Sequence, residues 1–172
     1  MVILLLLAVC LMTTSSQSAS NNSELTTQIV NDVKKFVKNR GVKFYTNWAA
    51  HRGASGFAPE NSVPAFRIAA RLGAKLIETD VRMTEDGVMI CSHNATTTKL
   101  NGLKGHVYDH TYDEITANPI YDDFVTYKGK SFTGLKIPTF NQYLDVIGAY
   151  DKPIAKIHVK KRGSNQDVDE YA

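Results

Sequence analysis

Glu78, Asp80 and His93 are the residues of this chain whose types and spacing first suggest chemistry. Between them lies Asp86-Gly87, a hairpin signal, because the pair readily takes the positive φ angles of a type I′ turn. With those two residues as the turn, Glu85 faces Val88 and, counting back, Asp80 faces His93. Strand residues two apart share a face, so Glu78, Asp80 and His93 are expected to converge on one surface. Two carboxylates and an imidazole on the inner face of an apolar strand pair are expensive to bury without a partner. A divalent cation is one such partner, and hard carboxylate oxygens suit Mg²⁺ or Ca²⁺, whereas zinc more often brings Cys or several His. A satisfied polar cluster is the other reading, and spacing alone does not choose between them.

A second cluster, His51-Arg52-Gly53, is followed by Pro59-Glu60-Asn61-Ser62. An arginine here can fork onto a phosphate, a helix N-terminus supports an anion, and Gly53 permits close backbone approach. His51 can shuttle a proton, since an unperturbed imidazole titrates near ~6.5. Taken alone, a helix cap and a surface arginine explain this run equally well.

Both clusters need elements to hold them. Phe44 to Ala50, Leu76 to Arg82, Val88 to His93 and Pro153 to Val159 read as strands. Ser62 to Leu72, with Pro64 in its first turn and Gly73 at its end, reads as a helix, and so does Thr139 to Ile147. Short apolar runs alternating with helical stretches argue for an α/β domain. The stretch from Asn94 to Lys136 is too long for an ordinary connection and is expected to be a loop serving the site. Ser23 to Arg40 reads as an amphipathic helix with Leu25, Ile29, Val30, Val33, Phe36 and Val37 on its stripe, and Asn22 or Ser23 as its cap. Its Lys34, Lys35, Lys38 and Arg40 suit the negative end of the helix dipole, and weak contact with an anionic membrane surface is the alternative use.

Composition sets the outer bounds. With 43% hydrophobic and 22% charged residues the chain can bury one core, which excludes disordered and collagen-like classes. A formal charge of +3 from 20 Lys+Arg and 17 Asp+Glu is too even to argue for nucleic-acid binding. Two cysteines, Cys10 and Cys91, make no disulfide framework. Residues 1–18 read as a signal peptide, from the uncharged apolar run Val2 to Met12 and the small residues Ser16-Gln17-Ser18, so export to the periplasm or outside the cell is expected. Lipid anchoring through Cys10 is the alternative. Residues 19–42 then read as the N-terminal helix and linker, and 43–172 as an incomplete α/β domain.

The ordered run His51-Arg52-Gly53, Pro59-Glu60-Asn61-Ser62, Ala65-Phe66, Ile77-Glu78-Thr79-Asp80-Val81, Thr84, Asp86-Gly87, Ser92-His93 and Ile137-Pro138-Thr139 closely resembles the glycerophosphodiester phosphodiesterase family. The resemblance implies a TIM-type (β/α)₈ barrel, here truncated after about four strands, with its site at the C-terminal strand ends. It implies metal-dependent hydrolysis of a small-molecule glycerophosphodiester to glycerol phosphate and an alcohol. By position it implies His51 and His93 as the acid/base pair, Arg52 and Lys160 as phosphate or substrate ligands, Glu78 and Asp80 as metal ligands, and Glu60 as a residue orienting the site.

The chain also departs from that pattern. His93-Asn94 stands where the family has His-Asp. His158-Val159-Lys160 stands where it has Glu, an apolar residue and Lys, so His158 is the third candidate metal ligand. The length of 172 residues falls short of the roughly 250 a TIM barrel needs. A phospholipase D of the spider-toxin type and a non-catalytic phosphate-binding protein are the competing readings. Cys91 reads as a small buried thiol, Trp48, Met89 and Phe66 as core, and His106 and His110 as solvated loop residues. The residues do not determine the oligomeric state.

Overall fold

The computed structural model describes residues 2–41, 47–120, 126–151 and 153–162. In chain order the elements are α1 (Val2–Asn39), β1 (Ala49–Ala50), α2 (Val63–Arg71), β2 (Leu76–Met83), β3 (Met89–Cys91), α3 (Thr98–Asn101), α4 (Tyr112–Ala117), β4 (Thr126–Tyr127), β5 (Lys130–Ser131), α5 (Phe140–Gly148) and β6 (Ile154–Val159). A 3₁₀ turn, Val107–Asp109, lies between α3 and α4.

β2 is the centre of the sheet. β1 runs parallel to it at Ala49↔Leu76 and Ala50↔Ile77, and β6 runs parallel along Leu76↔Ile154 to Val81↔Val159. β1 and β6 therefore flank β2 on opposite edges, and β3 returns antiparallel beside its C-terminal end. This is an α/β fold with a parallel sheet, and helices α1, α2 and α5 share one core with it. Of the expected strand from Phe44, only Ala49 and Ala50 are seen as strand, and Phe44 to Thr46 lie outside the described residues.

Each layer helix has a local reason to start. The Ser62 hydroxyl accepts the Ala65 amide, and Pro64 occupies the first turn of α2, where its missing N–H leaves no helical bond unmade. α2 buries Pro64, Ala65, Phe66, Ile68, Ala69 and Ala70. At α5, Thr139 and Gln142 form a reciprocal capping box. Tyr143 packs edge-on against Phe66 with ring centroids 4.9 Å apart, and its hydroxyl donates to the Ile77 carbonyl. Gly53, at φ +77°, lets the β1–α2 loop press onto α2, where an added Cβ would stand 2.8 Å from Ala65.

Three expectations are corrected. The hairpin is not closed by a two-residue turn: pairing runs Val81↔Cys91, Arg82↔Ile90 and Met83↔Met89, and Thr84 donates its amide to Val88. Three residues, Glu85, Asp86 and Gly87, form the loop, with Gly87 at φ +80°. The register is thus shifted by one, and Ser92, not His93, pairs with Asp80 through its backbone. A one-residue slip reverses every side chain on a strand, so Cys91 turns into the helix-covered core and His93 reaches the site only beyond the strand end. Met89 is half exposed opposite the exposed Met83, at the turn end of this hairpin, and is not core.

The stretch from Asn94 to Lys136 is not an open loop. α3, the 3₁₀ turn, α4 and the ribbon β4–β5 occupy it, and Ile90, Val107, Ile115, Ile120 and Ile137 form a second small core. Those apolar residues are too far apart in sequence for any periodicity to reveal that they meet.

The third correction concerns α1, which begins at Val2 rather than Ser23. No Gly or Pro interrupts Val2 to Asn39, and Asn22, the expected cap, instead exchanges hydrogen bonds with the Thr133 backbone. Leu25, Ile29 and Val30 are buried, but Phe36 is 59% exposed, with the Arg40 guanidinium over its ring. The partners that cover α1 engage it at Thr27, Gln28 and Asp32, the last through Lys128 at 2.8 Å, and its final turns extend past them.

Gly53→Ala is expected to lower stability by about 1–3 kcal/mol, from the positive φ and the contact with Ala65. Gly56→Ala in the same loop meets nothing within 4 Å and should be neutral. Equal denaturant midpoints for the two variants would contradict the close-approach argument.

Candidate active site

Glu78 and Asp80 sit on the same face of β2 and are 2% and 1% exposed. β6 supplies the neighbours: His158 lies opposite Asp80 in the register, and Lys160 follows directly after the strand. His158 Nδ1 stands 3.0 Å from Glu78 Oε1, and Lys160 Nζ stands 3.1 Å from Asp80 Oδ1. Across β2, the chain leaving β1 delivers His51, exposed, with Nε2 3.9 Å from Glu78 Oε2.

Arg52 ties the cluster together. Its amide donates to Glu78 Oε2 at 2.7 Å, its Nη1 donates to Glu60 Oε2 at 2.9 Å, and its Nε lies 3.3 Å from Asp80 Oδ2. These contacts require Arg52 to adopt φ +56°, a left-handed conformation that costs a non-glycine residue about 1–3 kcal/mol. The Arg52 carbonyl accepts the amide of Asn61, itself at φ +51°, a geometry asparagine tolerates better than most residues.

Asn61 is a positioning residue whose role sequence reasoning did not identify. Buried, it donates from Nδ2 to Asp80 Oδ2 at 3.1 Å, while its Oδ1 accepts the Thr79 hydroxyl and the Asp80 amide. No spacing rule points to it. Arg82 is a second such residue, and extending the period-two count from Glu78 and Asp80 by one step finds it. Its guanidinium donates to the His93 carbonyl from Nη2 at 2.7 Å and to the Lys161 carbonyl from Nη1 at 3.2 Å, joining the hairpin to the end of β6.

His93 stands just past β3, and burial first, then the Arg52 guanidinium, pull its ring below the usual imidazole range, with Asp80 opposing. A ring that feels Arg52, Asp80, Lys160 and Glu60 lies within the field of this cluster. A neutral imidazole at working pH is suited to accepting a proton. Cys91 has no such role: burial pushes its thiol up to about 12. His106 stacks on Tyr108 beside Asp109, and His110 Nε2 lies 2.8 Å from the Lys104 carbonyl, so both are held in local contacts.

The arrangement fits a divalent cation. Glu78 Oε1 and Asp80 Oδ1 are buried and make no hydrogen bond, despite the cationic groups near them. One ligand atom from each of Glu78, Asp80 and His158 lies within 4.8 Å of the other two.

Residues 51–170 match the Glycerophosphoryl diester phosphodiesterase family. A glycerophosphodiester phosphodiesterase of Bacillus subtilis is 35% identical over 105 residues, 59% of this chain and 36% of the relative. One from Caldanaerobacter subterraneus is 38% identical over 102 residues, 59% of this chain and 40% of the relative. Among solved structures, the glycerophosphodiester phosphodiesterase of Agrobacterium tumefaciens superposes with a TM-score of 0.56 at 31% identity, covering 67% of this chain and 47% of that one. A phosphodiesterase of Oleispira antarctica, solved with the product sn-glycerol-3-phosphate, gives 0.56 at 26% identity, covering 66% and 44%. The chain thus spans less than half the length of each of these four proteins.

His93 is expected to titrate below its ordinary 6.5, and Arg52→Gln to move it upward, because removing a nearby positive charge favours the imidazolium. NMR titration of the ring carbons reads both, and a midpoint at or above 6.5 in the parent would contradict the burial argument. Asn61→Asp replaces a donor to Asp80 with a second carboxylate and should cost about 1–3 kcal/mol at neutral pH. That loss should shrink as pH falls into the carboxylate range, where protonation removes the repulsion. Denaturant midpoints that overlay the parent's at every pH would show that Asn61 does not hold Asp80.

Proposed function

This chain belongs to the glycerophosphoryl diester phosphodiesterase family, and on that premise we propose that the whole protein is a metal-dependent phosphoric diester hydrolase. It splits a glycerophosphodiester into glycerol phosphate and an alcohol. The observation that carries this reading is the buried pair Glu78 and Asp80, with two oxygens making no hydrogen bond, on a face shared with His158 and flanked by Arg52 and Lys160.

Glu78, Asp80 and His158 hold the divalent cation, for which the two carboxylates alone suit Mg²⁺ or Ca²⁺. When bound, the ion supplies charge neutralisation at the phosphoryl oxygens. Arg52 binds the phosphate, its guanidinium oriented in advance by Glu60, and Lys160 adds a second positive charge. His51 and His93 divide the proton transfers: one accepts a proton from the attacking water as the new P–O bond forms, and the other protonates the leaving alkoxide as the old P–O bond breaks. The sheet β1-β2-β6 is read as the first part of a (β/α)₈ barrel, its site at the C-terminal strand ends. Exposed Ile154, Ile157 and Val159 on β6 support this, since among the described residues β6 pairs with β2 alone.

Export belongs to the same proposal and rests on the apolar run Val2 to Met12. Among the described residues no helix is long and apolar enough to cross a membrane. Mass analysis of the exported protein should find Ala19 at its N-terminus.

The whole protein should release glycerol phosphate from glycerophosphocholine, and exhaustive chelation should abolish the reaction. Turnover that survives EDTA and dialysis would overturn the metal requirement. His51→Ala should lower kcat by about 10²–10⁴-fold while leaving cation affinity intact, because the side chain moves a proton and is not a ligand. Calorimetry showing that His51→Ala weakens the cation as much as Glu78→Gln would contradict this division of roles.

A further inference from the structure

The candidate cation site has an unusual third donor. Glu78 and Asp80 bring two anionic oxygens, but β6 contributes the imidazole of His158, opposite Asp80 in the register and 3.0 Å from Glu78. We propose that His158 sets the ion preference of this site, favouring first-row transition-metal dications such as Mn²⁺ and Zn²⁺ over Ca²⁺. The proposal rests on the reading above that Glu78 and Asp80 hold a cation.

Two features point the same way. Ca²⁺ is bound almost wholly by oxygen, takes six to eight ligands, and gains affinity from the number of anionic ligands. A neutral nitrogen in place of a third oxygen weakens that interaction and strengthens bonding to ions that accept imidazole. The surroundings add to the effect. Lys160 Nζ lies 3.1 Å from Asp80 Oδ1, and Arg52 Nε lies 3.3 Å from Asp80 Oδ2, so any incoming cation meets two fixed positive charges. An ion held by charge alone is penalised most by such neighbours. One that also forms a directional bond to nitrogen retains that part of its binding energy.

The test is equilibrium binding to the whole protein, by calorimetry with Mn²⁺, Zn²⁺, Ca²⁺ and Mg²⁺ in parallel, on the parent, His158→Glu, His158→Gln and Glu78→Gln. The parent should bind Mn²⁺ and Zn²⁺ at least about tenfold more tightly than Ca²⁺, and His158→Glu should reduce that ratio by at least about tenfold. Electron spin-echo spectra of the Mn²⁺-loaded parent should show a coordinated ¹⁴N that is lost in His158→Gln. Ca²⁺ affinity equal to that of Mn²⁺ in the parent, an unchanged ratio in His158→Glu, or no ¹⁴N signal would each overturn the assignment to His158. Affinities unaltered by Glu78→Gln would instead remove the cation site itself, and this proposal with it.

Discussion

Two carboxylates, Glu78 and Asp80, are buried almost completely within three residues of one another on the central strand. Desolvating an ionised carboxylate costs several kcal/mol even after relaxation, and a second one nearby adds repulsion. Much of the surrounding structure answers that cost. Arg52 offers its amide and its guanidinium, His158 comes from the adjacent parallel strand and Lys160 from just beyond its end, and Asn61 donates its side-chain amide. Even so, one oxygen of each carboxylate makes no hydrogen bond. Those two oxygens, Glu78 Oε1 and Asp80 Oδ1, instead face the His158 ring at 3.0 Å and the Lys160 ammonium at 3.1 Å, so what the protein offers them is nearby charge.

Meeting this constraint from β1 dictates the shape of the loop after it. The amide and side chain of Arg52 reach two carboxylates at once only if its backbone turns left-handed, and Asn61 follows suit nine residues later. The strain is held by the hydrogen bond between them and by the approach of Gly53 to the first turn of α2. Capping by Ser62 and the small side chain of Ala65 therefore act on the site as well as on the helix, because they set how closely the loop can approach. The third donor of the set comes from β6, so the site forms only once β6 has docked in register beside β2.

The other side of the site depends on Arg82. By holding the His93 carbonyl and the Lys161 carbonyl together, it joins the β2–β3 hairpin to the end of β6. His93 sits near Arg52 and Lys160 for that reason, and burial first, then the Arg52 charge, lowers its ring's affinity for a proton. The small core under residues 94–136 steadies this end of the hairpin: Ile90 packs with Val107 and Ile115, and Tyr112 donates its amide to Asp86.

Local chemistry was enough to read much of this from the chain. Alternation placed Glu78 and Asp80 on one face, Ser62 and Pro64 marked the start of α2, Thr139 marked α5, and the ordered motifs pointed to the family. These are short-range properties, decided by backbone geometry within a few residues. What tertiary structure decided was long-range or differed by a single residue. The hairpin register turned on whether Glu85 joined the turn, and both choices satisfy the Asp86-Gly87 signal. The isoleucines of the second core become neighbours only after folding. Asn61 and Arg82 acquired roles from partners 11 to 79 residues away. Asn22 had the chemistry of a cap but found Thr133, 111 residues along, which no local rule anticipates.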